Sequence, residues 1–158
     1  MATSPFADTE VAEFAGQLFF RLWRASHTRI AEALESIGLT PPLFGLLNIL
    51  GAREGAIQQE IGSAMGIDPS TMVSLIDQLE TAGLAQRRPH PTDRRAREVS
   101  ITAKGRRLLE QGRQMSADVE DEVLRGLTAA ERRQLLTLLR RALSSAPPQS
   151  LWSAAEGD

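Results

Sequence analysis

The sequence predicts a mainly α-helical fold with one small β-hairpin. Apolar residues recur at helical spacing in six stretches, each bounded by capping residues, glycine or proline. After the fourth stretch, the short segments "LAQRR" and "REVSI" flank a tip rich in proline and arginine, which is typical of a hairpin. The chain has 158 residues, 42% of them hydrophobic, which is enough for one domain or for two small lobes that share a core.

The first helix is predicted over residues 8–37. Asp8 or Thr9 can cap its start, and Gly38 ends it. Its apolar residues extend beyond one face, because Phe19 and Trp23 widen the stripe. A helix this long and apolar needs more than one packing partner, and one of these could be a second chain.

The next three helices are short. Thr40 caps a helix of residues 41–50, with proline at its first position. A helix of residues 56–65 ends at Gly66, where the chain must reverse, and Asp68 caps the following helix of residues 69–82. The last two of these helices form a helix-turn-helix pattern.

The fourth helix has two chemically different faces. One is apolar at i, i+3, i+4 and i+7 and is predicted to be buried: Met72, Leu75, Ile76 and Leu79. The other has short polar side chains and one valine: Ser70, Thr71, Val73, Ser74 and Gln78. Such a face near a helix N-terminus can bind phosphate and reach base edges in a major groove. It could equally face water, so the helix pair alone leaves both interpretations open.

The predicted hairpin favours DNA binding. Its strands cover residues 84–88 and 97–101, and its tip covers residues 89–95. The segment 87–113 contains nine basic and three acidic residues, a net charge of about +6, whereas the whole chain has a net charge of −2. A local excess of positive charge on an acidic protein indicates an anionic partner, although charge alone could also mark a solvated helix face. A helix-turn-helix followed directly by an arginine-tipped hairpin is a winged helix-turn-helix.

The arginines of the hairpin are predicted to have different contacts. Arg87 and Arg88, ahead of the tip, are expected to bind phosphate. Arg95 is expected to enter a minor groove, where arginine suits the enhanced negative potential, and Arg94 and Arg97 are expected to assist it. Asp93 is expected to pair with Arg95 and orient its guanidinium.

Two helices complete the pattern. Thr102 caps a helix of residues 103–124, and Thr128 with Glu131 forms a capping box for a helix of residues 130–143. The tail of residues 144–158 contains two prolines and many small residues, and we expect it to be mobile.

Several of these segments together resemble the MarR (multiple antibiotic resistance regulator) family of winged helix-turn-helix transcription factors. The most specific matches are "DQLETAGL" (77–84), "DRR" (93–95) and "ITAKG" (101–105), and the resemblance extends over about residues 10–143. It implies a homodimer whose helical dimerisation lobe comprises residues 8–37 and 103–143, with residues 40–102 forming a winged DNA-binding lobe. It also implies a pseudo-palindromic double-stranded DNA site. The family is often basic at positions 74 and 78, where this chain has serine and glutamine.

Members of this family commonly respond to small, often aromatic and anionic effectors. The resemblance places such a site between the two lobes. The residues that could contact the effector are Trp23, Arg24, His27 and Asn48. Arg24 could pair with a carboxylate, Trp23 could stack, and His27 could donate a hydrogen bond. Each of these side chains could instead have an ordinary structural role.

Other classes of protein fit the sequence less well. With no cysteine and only two histidines, far apart, the chain is not expected to hold a metal, a disulfide or another cofactor. We find no phosphate loop or histidine-based triad, so we do not expect an enzyme. No signal peptide or membrane span is visible, and we expect a cytoplasmic protein. The function predicted is a ligand-responsive transcriptional repressor. The alternative is a winged-helix module that binds protein without sequence-specific DNA binding.

Overall fold

Six helices and three short strands form the part of the chain that the computed structural model describes, which is residues 14–53, 55–89 and 97–145. In chain order they are α1 (Ala15–Glu35), α2 (Pro41–Ala52), β1 (Ala56–Ile57), α3 (Gln58–Met65), α4 (Pro69–Thr81), β2 (Ala85–Pro89), β3 (Arg97–Ile101), α5 (Ala103–Val123) and α6 (Ala129–Ser145). The predicted class is confirmed: the fold is mainly helical, with a small antiparallel sheet.

The predicted helix boundaries that lie within the described residues are all within two residues of those in the structure. The predicted start of the first helix, residues 8–13, lies outside the described residues, and α1 is helical from Ala15. Helix α6 continues to Ser145, so the first two residues of the predicted mobile tail are helical. The rest of that tail, residues 146–158, lies outside the described residues.

The predicted helix caps form hydrogen bonds. Thr40 Oγ1 accepts from the backbone N–H of Leu43 at 3.5 Å, and Thr102 Oγ1 accepts from that of Gly105 at 3.0 Å. In the capping box, Thr128 N–H donates to Glu131 Oε2 at 2.7 Å, and Glu131 N–H donates to Thr128 Oγ1 at 3.3 Å. These bonds satisfy N–H groups that a helix cannot bond internally. The Thr128 hydroxyl also donates to Glu131 Oε2 at 2.7 Å, and this bond, followed by the one from the Thr128 backbone, lowers the pKa of Glu131.

The sheet has one more strand than the predicted hairpin. Its order is β1-β3-β2, with both neighbouring pairs antiparallel. Residues 56–57, which were predicted to begin a helix, instead pair with β3 as Ala56 opposite Val99 and Ile57 opposite Glu98. A strand of two residues is too short to show an alternating pattern, so the sequence did not reveal it.

The core lies mainly in the lobe that contains the helix-turn-helix. Helix α2 runs through it and contributes four buried leucines: Leu43, Leu46, Leu47 and Leu50. The predicted apolar face of α4 is buried there as well, and Val99 covers the core from the sheet. By contrast, α6 has no buried residue in the single chain. None of the described helices is long and apolar enough to cross a lipid bilayer.

Candidate nucleic-acid interface

The chain reverses between α3 and α4 at Gly66, as the sequence predicted. Gly66 lies in the left-handed region at φ 63°, and Ile67 N–H donates back to Gly62 O at 3.0 Å. This arrangement closes the end of α3 and redirects the chain within two residues. Asp68 then caps α4, with Pro69 at its first position.

Helix α4 turns its predicted polar face outward. The apolar residues of its other face are buried, whereas the predicted DNA contacts are all exposed: Ser70, Thr71, Val73, Ser74 and Gln78. Gln78 Nε2 donates to Ser74 Oγ at 3.4 Å, so these two side chains lie side by side one turn apart. The face offers hydroxyl and amide groups, and Val73, 42% exposed, adds an apolar contact of the kind that suits a thymine methyl group.

The cap of α4 occupies the backbone groups that were expected to bind phosphate. Asp68 Oδ1 accepts from the backbone N–H groups of Ser70 and Thr71, both at 3.0 Å, and from the Ser70 hydroxyl at 2.5 Å. Hydrogen bonds from Ser70 first, and then from Thr71, hold the pKa of Asp68 well below its usual range. The carboxylate is therefore charged at neutral pH, and these two N–H groups have an internal acceptor. The Ser70 hydroxyl keeps free lone pairs and can accept from a base amino group.

Arg87, predicted to bind phosphate, has internal partners. Its side chain is only 22% exposed, and its guanidinium donates to carboxylates of α4 and to a side chain of α3. Its neighbour Arg88 is exposed, as predicted for a residue that meets phosphate, and lies opposite Glu98 on β3. Arg97 is also exposed, at the start of β3.

The tip of the hairpin cannot be compared with prediction. Asp93, Arg94 and Arg95 lie outside the described residues, so the Asp93–Arg95 pair stays a prediction. The strands that lead to and from the tip are described, and β2 and β3 pair continuously from Ala85 opposite Ile101 to Pro89 opposite Arg97. Strand β2 contacts α4 through Arg87, so the described part of the hairpin lies beside that helix.

Two comparisons with known proteins decide the family. The family model described as MarR matches residues 39–96. A protein named as a transcriptional regulatory protein for the hcr operon of Thauera aromatica is 32% identical over 144 residues, which cover 89% of this chain and 87% of that protein. This chain belongs to the MarR family.

Solved structures agree with this MarR-family assignment. A mutant of MarR from E. coli complexed with operator DNA has 26% sequence identity and a TM-score of 0.70, over 81% of this chain and 92% of that one. BpsR of Bordetella bronchiseptica, whose DNA binding is described as regulated by 6-hydroxynicotinic acid, has 27% identity and a TM-score of 0.72, over 85% and 96%. The MarR-family proteins are transcriptional regulators, and α3 and α4 are the helix-turn-helix of this fold, a motif whose second helix generally lies in the major groove of DNA.

The predicted effector residues fall into two groups. On α1, the rings of Trp23 and His27 stack with their centroids 4.7 Å apart, and Trp23 is 48% exposed. Arg24 lies on the same helix and lines a groove between α1 and α5. Asn48 is in a different situation, because its Nδ2 donates to Phe44 O at 3.0 Å and its Oδ1 accepts from Arg113 Nε at 3.0 Å. Both polar ends of Asn48 are therefore bonded within the chain.

Large apolar side chains are exposed along α1 and α6. On α1 these include Phe19 at 52% and Phe20 at 56%, and on α6 they include Leu138 at 46% and Leu143 at 72%. Large exposed apolar side chains in this number are typical of a surface that another chain covers. The pattern fits the sequence-based expectation that the first helix packs against more than its own chain.

Proposed function

We propose that this MarR-family regulator binds a pseudo-palindromic duplex DNA site as a homodimer in the cytoplasm and represses transcription there. The observation that supports this most directly is the exposed polar face of α4 beside an arginine-bearing wing. Recognition of a DNA sequence requires hydrogen-bonding groups on a helix that can enter the major groove, and contacts to phosphate that hold it there. Helix α4 offers the first, and the wing offers the second.

The proposed DNA contacts lie on two elements, α4 and the wing. In the major groove we place the exposed face of α4: Ser70, Thr71, Val73, Ser74 and Gln78. Arg88 and Arg97 are proposed to contact the backbone at the base of the wing. At the tip we propose that Arg95, oriented by Asp93 and assisted by Arg94, enters the minor groove, because arginine suits a narrow groove with enhanced negative potential.

The homodimer is proposed on the exposed apolar surface of the helical lobe. Residues 8–37 and 103–143 would form this lobe in each protomer, and residues 40–102 would form the DNA-binding lobe. Burial of the phenylalanines of α1 and the leucines of α6 would remove apolar area from water and stabilise the pair. Two α4 helices related by a two-fold axis would then meet two half-sites of a palindrome.

An effector site is proposed on α1. The stacked pair Trp23–His27 presents an aromatic surface, and Arg24, the next residue along the helix, supplies a positive charge; these two properties suit a small aromatic anion. The regulation described for BpsR by an aromatic acid supports an effector of this class. Asn48 needs no effector as a hydrogen-bond partner, and we leave it out of this site.

The test is selection of duplexes from a random DNA library at moderate salt, with Arg95→Ala alongside the parent. We expect the parent to enrich a two-fold symmetric site. Arg95→Ala should weaken binding to that site by more than about 1 kcal/mol, the range of a specific contact. Absence of any enriched site, with only weak salt-sensitive binding, would favour a winged-helix module that binds protein instead.

A further inference from the structure

The guanidinium of Arg87 connects three elements of the DNA-binding lobe. Nε donates to Gln58 Oε1 on α3 at 3.2 Å, and Nη1 donates to Glu80 Oε2 at 2.6 Å and to Asp77 Oδ1, both on α4. Nη2 donates to the backbone oxygen of Val73, also on α4, at 3.2 Å. Four of the five N–H donors of an arginine are thus used inside the protein.

The backbone of Arg87 takes part in the same contact. Strand β2 lies at the edge of the sheet, so one of its sides has no neighbouring strand. Arg87 N–H donates to Glu80 Oε1 at 2.6 Å, and the two oxygens of Glu80 therefore bind the main chain and the side chain of one residue. This carboxylate joins the open edge of the sheet to α4.

The acceptors on α4 form one stripe next to the DNA-binding face. Val73, Asp77 and Glu80 are at i, i+4 and i+7, so they follow one another along the flank that faces the sheet. Asp77 also borders the shallow groove lined by Ser74 and Gln78. A single side chain thus holds the flank of the same helix whose exposed face is proposed to contact bases.

From these contacts we propose that Arg87 is a positioning residue rather than a phosphate ligand: it fixes α4 on the wing sheet in the orientation that sequence recognition requires. Hydrogen bonds to base edges need a helix held within a fraction of an ångström and a few degrees, whereas phosphate attraction tolerates movement. The proposal rests on the DNA-binding function proposed above and assigns one residue of the predicted interface a different role.

Removing the carboxylates of Asp77 and Glu80 should have opposite effects on sequence preference if Arg87 positions α4 and if Arg87 binds phosphate. The variant Asp77→Asn/Glu80→Gln keeps the shape of both side chains and removes two negative charges beside the DNA. If Arg87 bound phosphate, this change would free its guanidinium, reduce repulsion and leave sequence preference intact. If Arg87 positions α4, the change removes its anchors, and preference for the selected site falls even though the protein has become more positive.

The measurement is the ratio of Kd for a random-sequence duplex to Kd for the duplex that the full-length parent selects from a library, with both duplexes fluorescently labelled. We expect Arg87→Gln and Asp77→Asn/Glu80→Gln each to lower this ratio about tenfold, because hydrogen bonds to charged groups are among the stronger ones in proteins. Arg88→Gln is the matched control, one residue along the same strand. It should weaken binding to both duplexes equally and leave the ratio within about twofold, as phosphate contacts do.

Hydrogen exchange of the DNA-free protein provides a second measurement that does not depend on DNA binding. Arg87→Gln and the double carboxylate variant should both speed exchange of the amides of α4 and β2, whereas Arg88→Gln should not. If Arg87→Gln does not fold, the double variant is judged alone against the parent.

The possible outcomes separate the inference from the function on which it rests. The inference is overturned if the double variant keeps the parent's ratio or exceeds it, or if its exchange in α4 equals that of Arg88→Gln. If the parent shows no preference for any duplex, the proposed function fails, and the exchange measurement alone then decides whether Arg87 holds α4.

Discussion

The start of α5 is bonded to the end of α4, and Gly105 makes this contact possible. Thr102 Oγ1 donates to Gly83 O at 2.8 Å, Thr102 N–H donates to Leu84 O at 2.9 Å, and Lys104 Nζ donates to Ala82 O at 2.7 Å. These bonds satisfy carbonyl groups at and just beyond the C-terminus of α4, where a lysine is also favoured electrostatically. They bring the first turn of α5 against the backbone of Leu84.

We predict that Gly105→Ala destabilises the protein despite adding a better helix former. A Cβ at this position would lie 2.1 Å from Leu84 O and 2.8 Å from Ile101 Cγ1, so the backbone of one segment would have to move. Overpacking of a core costs about 1–3 kcal/mol, and a backbone contact this short places the cost near the upper end. Alanine recovers at most about 1 kcal/mol of helix propensity. The net loss should be about 2 kcal/mol per protomer.

The assay is guanidinium unfolding at one fixed protomer concentration, because the stability of an oligomer depends on concentration. Gly126→Ala is the control, since a Cβ there would meet no heavy atom within 4 Å apart from its two chain neighbours, and its φ is not positive. That substitution should leave stability unchanged or raise it by a few tenths of a kcal/mol. A Gly105→Ala protein as stable as the parent would refute the claim that the close approach of α5 to Leu84 requires glycine.

Three further predictions concern the cap, the DNA-binding face and the dimer. The pKa of Asp68 is lowered in the folded protein, so the stability that its charge contributes is fully present above the ordinary pKa of 3.8 and is lost progressively as the pH falls from there toward the lowered pKa. Asp68→Asn should therefore make thermal stability less dependent on pH between about 5 and 2. An unchanged profile would contradict this role. Ser74→Ala should alter which bases are preferred in a library selection more than it alters the salt dependence, and identical preference profiles would exclude the contact. Phe19→Glu should shift the protein from dimer to monomer in analytical ultracentrifugation, whereas the same substitution at the exposed Thr137 should not; a dimer retained by Phe19→Glu would place the interface elsewhere.

The parts of the fold that depend on local signals could be predicted. Asp68, Thr102 and the Thr128–Glu131 box mark helix starts because a side-chain oxygen bonds N–H groups two or three residues later, which the sequence shows directly. The two faces of α4 could also be predicted, because the spacing of apolar and polar residues along a helix is visible in the sequence. The turn at Gly66 required a left-handed residue, which glycine supplies at no steric cost.

The parts that depend on contacts distant in sequence could not be predicted. Strand β1 exists only because β3, about forty residues later, offers it partners, and two residues contain no periodicity of their own. The role of Arg87 is similar: next to Arg88, it seemed to be one of two equivalent cations. Alternation along β2 sends the two side chains in different directions, and only the packing of α4 on the sheet places the carboxylates Asp77 and Glu80 within reach of one of them.

We expect fewer cations of this segment to reach DNA phosphate than the sequence count suggests. The segment 87–113 has nine basic residues, but Arg87 is paired with two carboxylates, Lys104 bonds the end of α4, and Arg113 bonds Asn48. We expect cations held in this way to stabilise the DNA-binding lobe and its junction with α5 rather than to neutralise phosphate. Attraction to any DNA sequence should then be weaker, because it grows with the number of phosphates contacted. Discrimination between DNA sequences then depends on how firmly α4, with its uncharged face, is held in place. Holding α4 is the role that we propose for Arg87.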